Sequence, residues 1–268
     1  MRDIYPAPSI VVGVDGSRAA THAALWAVDE AISRDIPVRL VYVIDPLTPP
    51  DPGAHNTRLN AAQAALHDAH RAVDATGQPV KVESEILWGR PLTKLLEESR
   101  SAAMICVGSI GINHACHGGG STAAALAAAT ACPVAVIRRP PARSAAPQVS
   151  TVIAQVDNGM VLRHAFEEAK LRGATLRAIA VSRAEVPDDT GDGNRLAQAQ
   201  LRRRLARWTL LYPDVPVESA VVQGSVDEYL AANDEADQLF VTDTHTCRDL
   251  CGAYNAGRSV LAIRCSHL

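Results

Sequence analysis

Ile10-Val-Val-Gly-Val-Asp15 is an apolar run closed by an aspartate, and Val152-Ile-Ala-Gln-Val-Asp157 repeats it. A helical stretch follows each copy, then a second apolar run: Val38-Arg-Leu-Val-Tyr-Val43 in the first and Thr175-Leu-Arg-Ala-Ile-Ala-Val181 in the second. His22 and His164 each follow their aspartate by seven residues. Trp88-Gly-Arg-Pro91 corresponds to Gln223-Gly-Ser-Val226, and Met104-Ile-Cys-Val107 to Gln238-Leu-Phe-Val241. Both halves close on Val-x-x-Ile-Arg, at Val134–Arg138 and Val260–Arg264. The chain is therefore read as two copies of one unit. Arg138-Arg-Pro-Pro-Ala-Arg-Ser-Ala-Ala-Pro147, rich in proline and small residues, reads as the connection. This places one domain at 1–138, a linker at 139–150 and a second, shortened domain at 151–268.

Within the first copy, runs 9–14, 38–44, 103–107 and 134–137 are almost continuously apolar, the pattern of parallel strands covered on both faces. The run 80–87 alternates (Val80, Val82, Ser84, Ile86) and suits an edge strand. Helix 18–34 carries its apolar residues at 23, 24, 27, 28, 31 and 32, a single stripe at helical period. Leu59, Ala62, Leu66, Ala69 and Val73 do the same for helix 56–75, and Pro91 is a good first residue for helix 91–101. Alternating strands and helices imply an α/β class with two tandem, doubly wound, parallel sheets.

The chain has 268 residues, 26 basic against 29 acidic, and 47% apolar residues. That is ordinary for a globular protein and argues against nucleic acid or an anionic membrane as the main partner. The longest apolar run, Thr122 to Ile137, is alanine-rich, interrupted by Pro133 and too short to span a bilayer, which needs about 20 residues. Met1-Arg-Asp-Ile-Tyr-Pro6 lacks the apolar stretch of a signal peptide, so a cytoplasmic location is expected. Cys106 and Cys132 fall in strand-like contexts and read as small buried hydrophobes.

Ligands of such sheets sit beyond the carboxyl ends of the strands where the winding reverses. That singles out the loops leaving 9–14 and 103–107. In the first, Gly13-Val-Asp-Gly-Ser17, Asp15 or Ser17 can cap the following helix, and a plain cap is half of what the motif means. In the second, Gly108-Ser-Ile-Gly111 is followed after eight residues by Gly120-Ser-Thr122, which opens an alanine-rich helix. Glycines allow close backbone approach, and a helix N-terminus favours an anion. No lysine follows, so this is not a Walker A loop, and Gly13-Val-Asp-Gly16 is not the dinucleotide fingerprint.

Val14-Asp-Gly-Ser17, the Gly89-x-Pro91 helix entry, Gly108-x-x-Gly111 followed by Gly120-Ser121, and Cys132-Pro-Val-Ala-Val-Ile-Arg138 together resemble the universal stress protein family in its tandem-domain form. The resemblance implies strand order 3-2-1-4-5 in each half, with the halves related by a pseudo-two-fold axis. It also implies, in one branch of the family, ATP binding, with or without magnesium. The roles it carries over fall on Asp15, beside the nucleotide, and on the backbone of Val43, against adenine. Gly108, Gly111, Gly120, Ser121 and Thr122 would hold the phosphates. The family has nine residues where Ile112 to Gly119 are eight. The resemblance further implies pairing of the final strands, 133–138 with 259–264, inside one chain, with a homodimer left open. The function implied is that of a stress-response regulator acting on an unknown protein partner. The alternatives are a nucleotide-free pseudo-dimeric scaffold and a slow ATPase. The last needs a general base or metal ligand, for which only Asp15, His114 and His117 offer themselves, without a matched set.

In the second half Asn158-Gly-Met160 replaces the Gly-Ser, and Thr242-Asp-Thr-His245 stands where the glycine pair should be. Val107 to Ile137 spans 30 positions, Val241 to Ile263 only 22. This half is expected to bind no nucleotide. His114, Cys116 and His117, and His245, Cys247, Cys251 and His267, lack the paired spacing of a structural zinc site and read as polar loop residues with incidental thiols. A disulfide, redox or metal role for Cys116 and Cys251 is the lesser reading. Arg202-Arg-Arg204 reads as the solvated face of a helix whose apolar side is Leu201, Leu205 and Trp208.

Overall fold

Short β-branched runs, too short for helices and apolar on both faces, become the strands, and the alanine- and leucine-striped segments between them become the helices that cover those strands. The computed structural model describes residues 7–46, 54–109, 122–138, 149–182, 191–233, 235, 237–244 and 258–264. The chain divides into two compact units, Met1–Pro147 and Gln148–Leu268.

The first unit runs β1 (Ile10–Val14), α1 (Arg18–Arg34), β2 (Val38–Ile44), α2 (Ala54–Asp74), β3 (Val82–Trp88), α3 (Pro91–Glu98), β4 (Met104–Gly108), α4 (Thr122–Ala129) and β5 (Val134–Ile137). Its strands pair in parallel in the order β3-β2-β1-β4-β5. β1 and β4 are buried along nearly their whole length, while the alternating run becomes the half-exposed outer strand β3. α1 packs on β1 and β4 and against α2; α3 packs against α4. The core holds Ile10, Leu40, Met104, Ile105, Leu126, Ile137 and the wholly buried Trp26.

α3 stops at Glu98, short of the expected 101. Ser99 ends it, with its N–H donating to the Leu95 carbonyl and its hydroxyl to the Leu96 carbonyl, and residues 100–101 close a turn. Both described cysteines are buried, and burial pushes the Cys132 thiol up to about 11, so it stays protonated at neutral pH.

The second unit repeats the plan: β6 (Thr151–Gln155), α5 (Gly159–Arg172), β7 (Thr175–Ser182), α6 (Gly191–Leu211), β8 (Val217–Gln223), α7 (Val226–Ala232), β9 (Gln238–Asp243) and β10 (Ser259–Ile263). Its parallel order, β8-β7-β6-β9-β10, is the same winding. Residues 245–257, where a shortened loop and helix are expected, lie outside the described residues, as do 139–148 of the expected linker.

Candidate functional site

In the first unit the winding reverses between β1, whose other neighbour is β2, and β4. The crevice at their carboxyl ends is built by three short stretches. The first is the turn after β1. Asp15 Oδ1 accepts a hydrogen bond from the Ser17 N–H at 2.9 Å, Gly16 sits at φ 83°, and Ser17 Oγ accepts from the Ala20 N–H at 3.1 Å. Ser17 is thus the helix N-cap, and Asp15 holds the turn that presents it. Of the two capping residues read from the sequence, the structure assigns the cap to Ser17 and leaves Asp15 half-buried at the strand end. Tyr42, its neighbour on β2, has its phenol pKa raised by burial and by the negative charge of Asp15.

The second stretch is the end of β2. The Val38 N–H bonds the Lys81 carbonyl and the Ile44 carbonyl accepts from the Gly89 N–H, so the even residues of this strand turn toward β3. Alternation in a parallel ladder then turns the odd residues, Val43 among them, toward β1. The β1 register ends at Val14↔Tyr42, so the Val43 carbonyl faces the space just past the end of β1.

The third stretch is the end of β4. A Cβ placed on Gly108 would lie 2.7 Å from the Ala19 carbonyl carbon and 2.8 Å from the Ala20 nitrogen. β4 therefore closes onto the first turn of α1 at a distance only glycine permits. The Ser109 N–H donates to the Ile137 carbonyl at 2.9 Å and carries the ladder one step further. Thr122 is the exposed first residue of α4. Gly111, Gly120 and Ser121 lie outside the described residues, as do His114, Cys116 and His117. The structure thus brings Asp15, Val43 and Gly108 to one crevice and puts Thr122 at the mouth of the helix that follows β4.

The equivalent place in the second unit is filled differently. Asn158 caps α5 by accepting from the Met160 N–H at 2.9 Å. The Asp157 carboxylate takes Arg204 Nη1 of α6 on one oxygen at 2.9 Å and Gln155 Nε2 on the other at 2.6 Å. An arginine therefore pairs, at the surface, with the carboxylate that corresponds to Asp15. Arg202, Arg203 and Arg204 are exposed, as the solvated-face reading expects, but that reading did not foresee the pair that Asp157 makes with Arg204. Its position one residue before Leu205 and four before Trp208 sets it beside the buried stripe, and that phase was the available signal. Among the described residues no three His, Cys, Asp or Glu side chains gather as a metal site, and no described helix is long and apolar enough to cross a membrane.

The class defined by this winding and this crevice is a doubly wound α/β protein with its candidate site at the switch point of the first unit. The chain belongs to the universal stress protein family: the family model matches residues 8–138, and close relatives match both units. A universal stress protein of Mycobacterium tuberculosis is 60% identical over 269 residues, covering 100% of each chain. Another from the same organism is 48% identical over 240 residues, covering 86% of this chain and 84% of its own. Among solved structures, a universal stress protein from Archaeoglobus fulgidus superposes with a TM-score of 0.68 over 96% of each chain at 13% identity, a likeness of fold.

Proposed function

We propose that the first unit binds ATP, with or without magnesium, and that the protein acts in the cytoplasm as a nucleotide-dependent regulator of a protein partner. The observation that carries this reading is the crevice between β1 and β4. The Val43 carbonyl faces it past the last rung of β1, and Gly108 lets the end of β4 close onto the first turn of α1 at its other side. Val43 would meet the adenine edge. Gly108, Gly111, Gly120, Ser121 and Thr122 would hold the phosphates by backbone N–H and hydroxyl groups at the start of α4. Asp15 would be the carboxylate that approaches the nucleotide. Bound nucleotide acts by shifting the populations of the loops around it.

The test is to denature freshly purified protein and assay the supernatant for adenine nucleotide, with Gly120→Asp as the comparison. A carboxylate at that loop would repel phosphate, so stoichiometric ATP from the wild type and none from the variant is expected. ADP in its place would move the reading to a slow ATPase. No nucleotide, and no heat on adding Mg-ATP, would leave a nucleotide-free scaffold. The second unit, with Asp157 already paired to Arg204, is read as the non-binding half.

We also infer that β5 and β10 pair with one another inside the chain, so that one molecule builds a pseudo-dimer. What supports this is an asymmetry of the strands. Each is an outer strand of its own unit, yet Val134–Ile137 and Val260–Ile263 are apolar throughout. The opposite outer strands, β3 and β8, carry the exposed glutamates Glu85 and Glu218. Sedimentation equilibrium is expected to return a 28.4 kDa monomer. A tight dimer would instead assign these edges to pairing between chains.

A further inference from the structure

The repeat supplies an internal control for its own surface. α2 and α6 are both 21 residues long and both join the second strand of their unit to the third. On α2, two arginines (Arg58, Arg71) stand against two aspartates (Asp68, Asp74), and the exposed positions are Asn, Thr, Gln, Ala, His, Asp and Arg, with no large apolar residue. α6 carries five arginines (195, 202, 203, 204, 207) against the single Asp192, on a chain whose net charge is −3. It also holds three of the most exposed large apolar side chains described: Leu196 at 62%, Leu210 at 82% and Leu211 at 59%. The fold needs neither feature, because α2 fills the same place without them.

Helical phase makes a single stripe of them. At 100° per residue, Leu196, Arg203, Arg207 and Leu210 fall on one line, with Leu211 beside it. Leu201, Leu205 and Trp208 lie on the opposite side and are packed inward, Trp208 against Phe166 and Tyr212. Arg204 is bound to Asp157 and so belongs to the unit's own structure. Arg202, Arg203 and Arg207 are exposed and make no ion pair among the described residues. Two arginines, a residue type enriched at interfaces, stand here beside leucines left in water, and an exposed apolar stripe on a fold that does not need it marks an interaction surface.

We propose that the outer face of α6 docks an acidic, leucine-bearing amphipathic segment of a partner protein. Carboxylates would pair with Arg203 and Arg207, and apolar side chains would cover Leu196 and Leu210. Charge selects an anionic partner. The narrowness of the apolar stripe argues for a peptide over a bilayer, since a helix lying in a membrane interface needs a wide apolar face and this one spends that face on the core. Leucines interrupt the arginines along the stripe, so it offers no continuous basic track for a phosphate backbone, which argues against nucleic acid. This surface is independent of the nucleotide crevice and stands whether or not ATP binds there.

The test uses the full chain and a fluorescein-labelled synthetic helix of about 20 residues, with glutamate and leucine on one face, read by anisotropy. Binding is expected for the wild type and weakens as salt is raised. Arg203→Glu/Arg207→Glu should lower affinity by about tenfold or more, and Leu210→Ser severalfold, with far-UV circular dichroism unchanged because all three side chains are exposed. Charge reversal and leucine loss must both register; a peptide that ignores Leu210→Ser would be a purely ionic association and would overturn the proposal. So would failure of the wild type to bind the peptide, or equal affinity of the double variant. Tighter binding to phosphatidylglycerol vesicles or to duplex DNA would reassign the surface. Concentration-dependent dimerisation removed by the same reversal would reassign it to a second copy of this chain.

Discussion

Phe166→Ala is expected to destabilise the second unit by about 3–5 kcal/mol, the range for removing a fully buried aromatic ring. Phe166 of α5 is wholly buried, with its ring centroid 5.9 Å from that of Trp208 and 5.4 Å from that of Tyr212, and with interplanar angles of 15° and 26°. Trp208 and Tyr212 lie 6.4 Å apart, so the three rings form a triangular cluster joining α5 to the end of α6. Alanine would leave a cavity flanked by two large rings carried by the end of α6 and the residue after it, whose backbone limits how far they can collapse into it. Phe166→Leu keeps most of the apolar volume and loses the stacking, so about 1–2 kcal/mol is expected from it. Urea unfolding read by tryptophan fluorescence measures both. A loss under about 1 kcal/mol for the alanine variant would mean that the cluster does not organise this unit.

Gly108→Ala is expected to cost about 1–3 kcal/mol in the first unit, through overpacking and not through lost contacts. The atoms a methyl group would meet are main chain: the Ala19 carbonyl carbon and the Ala20 nitrogen, together with the Ala19 Cβ. No rotamer can move them aside, so β4 must part from the first turn of α1, the turn that Ser17 caps. The same displacement opens the crevice in which Val43 and Asp15 stand, and nucleotide affinity should fall at least about tenfold with it. Gly159→Ala is the matched comparison. Gly159 is the first residue of α5, and a methyl group there would meet nothing within 4 Å, so the substitution should be neutral or stabilise by about 0.4–1 kcal/mol. Thermal unfolding followed by circular dichroism separates the two cases. Equal melting temperatures for both variants would refute the close approach at β4.

The strands themselves, the two-unit plan and the edge character of β3 were legible because burial on both faces leaves an uninterrupted apolar run and burial on one face leaves alternation. Ile10–Val14 against Val82–Trp88 shows the contrast within one sheet. The buried face of α6 was legible for the same reason: Leu201, Leu205 and Trp208 keep helical period. Asp15 could be placed at a strand end from sequence, but its role there could not. Whether Asp15 or Ser17 caps α1 depends on backbone angles after Val14, and a left-handed Gly16 hands the cap to Ser17. Gly108 was legible as a loop glycine, whereas its fit against Ala19 joins residues far apart in the chain and has no local signature.

What the sequence by itself determined is periodicity and repetition: which segments are strands, which are helices, which helix faces are buried, and that the pattern occurs twice. These are local quantities, set by the 2-residue and 3.6-residue repeats of the backbone. What only the tertiary structure decided is pairing across distance. It put the Val43 carbonyl past the last rung of β1 and β4 hard against α1, and of the exposed arginines of α6 it set Arg204 against Asp157 while Arg203 and Arg207 make no ion pair among the described residues. Neighbouring arginines on one helix are indistinguishable as letters. They are separated only when the fold fixes which of them can reach a carboxylate, because 100° per residue sets Arg204 beside the buried stripe and Arg203 farther round the helix.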